Sequence, residues 1–84
     1  MEEQLIGTVT HYFGGPGVAV VRMSTGALSV GDAIHFVGHT SDFTEKVISM
    51  EVNHQKVETA KAGDEVAIKV GARTREHDQV FKVA

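Results

Sequence analysis

Apolar and polar positions alternate along most of this chain with a period of two. No stretch keeps the i, i+3, i+4 apolar spacing of an amphipathic helix over three turns. Six runs read as strands. Leu5–Tyr12 is rich in β-branched and aromatic residues, which fit a pleated surface. Val18–Met23 is almost wholly apolar, as in a strand covered on both faces. Ala33–Val37 sets Ile34 and Phe36 on one face and His35 on the other. Thr44–Asn53 predicts Ile48, Met50 and Val52 inward, with Val47, Ser49, Glu51 and Asn53 outward. Glu65–Val70 turns Val66, Ile68 and Val70 inward, and Val80–Val83 is a short closing strand.

Glycine, proline and aspartate punctuate these runs. Gly14-Gly15-Pro16-Gly17 predicts a turn in which Pro16 presets φ and Gly17 takes φ > 0. Thr25–Asp32 is a wide connection whose Leu28 and Val30 share a face and pin it to the core. Gly38–Asp42 is a polar loop, Ala62-Gly63-Asp64 a turn, and Gly71–Asp78 a polar, charged connection. Asp32 and Asp64 are expected to accept hydrogen bonds from backbone N–H groups at their own turns. Val57–Ala62 reads as one helical turn or an irregular bridge, too short to stand as a helix. Strands at spacings of about 8–12 residues indicate an all-β sandwich or barrel. A chain this short leaves long edges in two layers, and closure removes them. The expected fold is therefore all-β: a small closed six-stranded Greek-key-like β-barrel, one domain over residues 1–84 with its core at about 5–83.

Composition narrows the chemistry. Eighty-four residues, 42% hydrophobic and 23% charged, suit one ordinary globular domain. Cysteine is absent, which removes disulfides, thiolate metal sites and cysteine nucleophiles. The acidic start and the lack of a long apolar run predict no secretory signal and no membrane span, with the cytoplasm as the expected compartment. The net charge is −3, and seven of the eight basic residues follow Asp42 among as many acids. That is not the basic footprint of a duplex-DNA-binding domain. Protonating all five histidines takes the formal charge from −3 to +2.

The ordered motifs Gly7-Thr8-Val9, Gly26-Ala27-Leu28-Ser29-Val30-Gly31-Asp32, Val47-Ile48-Ser49-Met50-Glu51 and Ala60-Lys61-Ala62-Gly63-Asp64-Glu65-Val66 resemble the barrel that forms the second domain of translational GTPases such as elongation factor Tu. The resemblance runs from Leu5 to Val83 and implies a free-standing copy of that barrel. It does not extend to nucleotide chemistry, because no G-x-x-x-x-G-K-[ST] is present and GTP binding is not expected. Leu5-Ile6-Gly7 replaces the glycine-arginine-glycine approach of elongation factor Tu, and the Gly14–Gly17 turn has no counterpart there. In that family the barrel helps hold the aminoacylated end of tRNA. The resemblance places Glu51 at a contributing glutamate and His54 at a neighbouring arginine, with Lys56 and Lys61 supplying charge nearby. A similar barrel forms the C-terminal domain of bacterial collagenase-like peptidases, which implies a protein-binding alternative.

Other constellations add less. No two histidines have the i, i+2 spacing that sets two ligands on one strand face, so neither metal nor cofactor is expected. Gly14–Gly17 lacks a following helix and a close basic residue, and reads as a hairpin turn rather than an anion nest. No G-x-S-x-G elbow is present. Arg73-Thr74-Arg75 with Lys69 is the densest basic cluster and a candidate contact to RNA backbone. Phe36 and Phe81 are expected in the core, and Phe13 and Phe43 at the surface as partner anchors. The expected activity is non-enzymatic binding of tRNA, the ribosome or a translation factor. The candidate residues are Glu51, His54, Lys56, Arg73 and Arg75. The alternative is a subunit that binds a peptidase-type protein.

Overall fold

Alternation of buried and exposed residues produces ten strands and no helix among residues 2–84, which the computed structural model describes. They are β1 (Glu3–Phe13), β2 (Val18–Met23), β3 (Ala27–Ser29), β4 (Ala33–Val37) and β5 (Asp42–Lys46), followed by β6 (Met50–Val52), β7 (Gln55–Lys56), β8 (Thr59–Lys61), β9 (Glu65–Lys69) and β10 (Gln79–Val83). Eight form one antiparallel sheet in the order β5-β4-β10-β1-β2-β9-β6-β7, while β3 and β8 pair as a separate ribbon. The expected all-β sheet is thus present, but its ladder is not closed: β5 and β7 are edges. Short pairings also raise the strand number above the expected six. No helix is long and apolar enough to cross a membrane among the described residues.

The sheet curls because β1 carries two register shifts, between Leu5 and Gly7 against β10 and between Val9 and His11 against β2. Each extra residue bends the strand and changes its phase. Ile6 and Val9 therefore both point inward, fully buried, although they are an odd number of residues apart. Around them pack Val21 and Met23 of β2, Ile34 and Phe36 of β4, Val66 and Ile68 of β9, and Val80 of β10. Leu28 of the β3–β8 ribbon completes the core, and burying such a side chain contributes about 1.5–3 kcal/mol.

One turn recurs three times. In Ser29–Asp32, Lys61–Asp64 and Arg75–Asp78, the aspartate N–H donates to the carbonyl of the residue three before it, at 3.0, 3.0 and 3.1 Å. The aspartate Oδ2 accepts the N–H of that same first residue, at 2.8, 3.0 and 2.9 Å. The third position has φ of 100° at Gly31, 95° at Gly63 and 76° at His77, the type II requirement. Asp32 and Asp64 act as the sequence predicts; the third copy, ending at Asp78, has histidine where the others have glycine.

Several positions differ from expectation, each for a physical reason. Val47 is buried and Ile48 is 68% exposed, the reverse of the predicted alternation. The ladder breaks after Lys46, and Val47 instead exchanges hydrogen bonds with the turn: its N–H donates to the Asp32 carbonyl and its carbonyl accepts the Gly31 N–H, both at 2.8 Å. Val52 is half-buried against the core. Leu28 anchors its connection, but Val30 lies at the tip of the following turn and is exposed. Val57–Ala62 forms no helical turn; it holds β8, pairing with β3. Phe43 is half-buried and stacks on Phe36 at 5.0 Å, whereas Phe81 is only half-buried. The Gly14–Gly17 hairpin turn forms, with Gly17 at φ 70° and its N–H donating to the Phe13 carbonyl.

Candidate functional site

The predicted site residues fall into two groups. Glu51 and Lys56 face each other across the β6–β7 ladder, and His54 sits at the exposed tip between them. Asn53 and His54 both have positive φ, at 53° and 64°, as a two-residue type I′ hairpin requires. Arg73 and Arg75 are exposed in the β9–β10 connection, flanking Thr74, which is 1% exposed with an unpartnered hydroxyl. The register Met50↔Ile68 and Glu51↔Ala67 sends the β6–β7 tip toward the Glu65 end of β9. The arginine connection leaves from the Lys69 end of that strand. The Arg75–Asp78 turn is itself held to β1, where the His77 N–H donates to the Val9 carbonyl and the Asp78 carbonyl accepts the Val9 N–H, both at 2.8 Å.

A cluster that sequence reasoning missed lies on the outer face of β4. The His35 ring sits between two carboxylates, with Nδ1 2.9 Å from Glu3 Oε2 and Nε2 2.6 Å from Asp42 Oδ1. The hydrogen bond to Asp42, then that to Glu3, raises the His35 pKa above the ordinary imidazole value, against an opposing effect of burial. The available signal was the outward parity of His35 and the β4–β5 hairpin that brings Asp42 back beside it. No group of three such side chains, this one included, is arranged to hold a metal ion among the described residues.

The other missed feature is a seam where the sheet fails to close. Both oxygens of the Glu45 carboxylate accept the Gly71 N–H, at 2.8 and 2.7 Å, linking the edge strand β5 to the end of β9. Lys69 N–H donates to the Ser49 carbonyl at 3.3 Å, and its ammonium donates to the Pro16 carbonyl at 2.7 Å. Exposed Ile48 stands between two shallow concavities of about 310 and 230 Å³, the second bordered by Val30 and Val57. An open, partly apolar seam rimmed by lysines suits a macromolecular partner better than an enclosed small molecule.

Comparison with known proteins places this geometry among relatives. Residues 17–80 match the family described as elongation factor Tu domain 2. An uncharacterised protease of Methanocaldococcus jannaschii is 36% identical over 77 residues, covering 90% of this chain and 19% of that protein. A collagenase of Porphyromonas gingivalis is 29% identical over 82 residues, covering 96% of this chain and 23% of that protein. The chain thus spans about a fifth of the length of the curated relatives it matches. Among solved structures, the C-terminal domain of a Geobacillus thermoleovorans protein described as a U32 peptidase superposes with a TM-score of 0.88. That match has 20% identity and covers 96% of this chain and 93% of the other, which establishes likeness of fold.

Proposed function

The chain belongs to the elongation factor Tu domain 2 family, and from that premise we propose that it is a non-catalytic, protein-binding barrel that serves a peptidase-type protein body. The observation that carries this reading is the nature of its relatives. A protease and a collagenase are similar to 90% and 96% of this chain, yet the barrel accounts for only 19% and 23% of them. An auxiliary barrel of that kind needs a contact surface rather than a reactive centre. The lysine-rimmed seam beside Ile48 is such a surface.

The second reading, contact with tRNA or the ribosome through Glu51, His54 and Lys56 with Arg73 and Arg75, draws on the family match. Its residues come from two separate elements, the β6–β7 hairpin and the β9–β10 connection. Native affinity capture with mass spectrometry separates the two. A peptidase-family polypeptide recovered in near-equal amount supports the first reading. Ribosomal proteins or tRNA released by raised salt, with no peptidase polypeptide, overturn it in favour of the second.

A further inference from the structure

Strand β5 is an edge of the sheet, paired only with β4. Gly38 N–H donates to the Ser41 carbonyl and Val47 N–H to the Asp32 carbonyl, each at 2.8 Å. Hydrogen-bonded pairs recur at every second residue of an antiparallel ladder. Phe36↔Phe43 and Ile34↔Glu45 are therefore the bonded pairs between those two points. The N–H and C=O groups of Asp42, Thr44 and Lys46 must then point away from β4, toward the open side. No protein group takes them among the described residues. A row of free backbone groups is a template for another strand.

Beside this edge lies the 310 Å³ concavity lined by Glu45, Lys46, Ile48, Lys69, Val70 and Gly71. Its chemistry selects an occupant. Ile48 supplies exposed apolar surface. Lys46 and Lys69 supply two exposed cations, the Lys69 ammonium also donating to the Pro16 carbonyl at 2.7 Å. Glu45, whose carboxylate accepts the Gly71 N–H, is the one acid in the lining, so two lysines against one glutamate leave it with a net positive formal charge. Asp42, the other acid of this edge, is held by His35 at the far end of the strand.

We propose that the β5 edge and the adjoining seam form a docking groove for an extended acidic peptide segment of a partner protein, which adds to the sheet as a strand. Main-chain hydrogen bonds to Thr44 and Lys46 hold the segment in register. Its carboxylates meet Lys46 and Lys69 while an alternate apolar side chain covers Ile48, as strand periodicity allows. The proposal rests on the reading of the barrel as a protein-binding module and names the part of its surface that binds.

The test titrates the isotope-labelled chain with a blocked hexapeptide alternating aspartate and valine, monitored by amide NMR, with a lysine–valine peptide as control. The groove predicts saturable shifts centred on Thr44, Lys46, Ile48 and Gly71, and binding at least about tenfold weaker in the K46E/K69E variant. These lysines are exposed, so the variant should retain its fold, which its own amide spectrum verifies. Absence of shifts at millimolar peptide overturns the proposal. So do equal binding of the basic peptide, shifts centred elsewhere, or a concentration-dependent dimer that protects the β5 amides, since a second copy is then the occupant. Native capture run in parallel with the wild type and with K46E/K69E separates the two levels. Recovery of a peptidase polypeptide by the wild type and its loss with K46E/K69E supports both; if the peptide fails to bind but the wild type still recovers a peptidase polypeptide, the groove falls and the function stands; if the wild type recovers none, both fall.

Discussion

His35 holds Asp42 at 2.6 Å through Nε2 while its other ring nitrogen meets Glu3 at 2.9 Å. Ionised carboxylates only accept hydrogen bonds, so serving both requires two ring N–H groups, which is the imidazolium. The raised pKa of His35, driven first by Asp42 and then by Glu3, follows from that geometry. Because the folded value lies above the unfolded value of about 6.5, the stabilisation is complete below about pH 6.5 and is lost as pH rises through the folded value. With Asp42 79% exposed, the cluster is worth about 0.2–1 kcal/mol. Thermal melts of the wild type and His35→Asn should differ by a few degrees at pH 6 and converge by pH 9. A difference that stays constant across that range contradicts the charged bridge.

His77 occupies, at φ 76°, the turn position filled by Gly31 and Gly63 in the other two copies. A side chain in the left-handed region costs about 1–2 kcal/mol, while glycine costs about 0.5–1 kcal/mol in unfolded-chain entropy. His77 is exposed, and the hydrogen bond it donates to Val9 comes from its backbone. His77→Gly should therefore raise stability by about 0.5–1 kcal/mol in urea unfolding. Gly63→Ala should lower it by about 1 kcal/mol, even though an added Cβ there meets only open space.

Gly38 and Asp78 are coupled by close approach. A Cβ added at Gly38 would fall on the Asp78 carboxylate. That carboxylate is buried at 3% exposure and already accepts the Arg75 N–H, so it cannot swing away without losing its turn. Gly38→Ala should cost about 1–3 kcal/mol. Asp78→Ala should also destabilise, by leaving that N–H unsatisfied. In the double variant the clash is gone, and a double-mutant cycle should show a loss smaller than the sum of the singles. Strict additivity would show that the two residues do not press on one another.

The legible parts of this molecule are those written in local pattern. The inward sets Ile34/Phe36 and Val66/Ile68/Val70, the Gly17 turn and the Gly-Asp turns at Asp32 and Asp64 all depend on neighbours a few residues apart. The third turn was hidden because His77 stands where glycine marks the others. The open seam was hidden for a different reason. Glu45 reaches Gly71 across 26 residues of chain, and no periodicity reports such a contact.

The same limit explains Val47 and Ile48, and yields the sharpest test of the barrel's edge. A strand unbroken from Thr44 to Asn53 demands Ile48 inside and Val47 outside. The structure breaks the ladder after Lys46, and the bonds between Val47 and the Gly31–Asp32 turn rotate Val47 into the core at 1% exposure. Val47→Ala removes two buried methyl groups and leaves a void, a cost of about 1.5–3 kcal/mol. Ile48→Thr alters a side chain 68% exposed at the seam and should change stability by no more than about 0.5 kcal/mol. Urea unfolding of both variants, at matched pH, should rank them in that order. The reverse ranking would restore the unbroken strand, bury Ile48, and remove the apolar element of the groove beside β5.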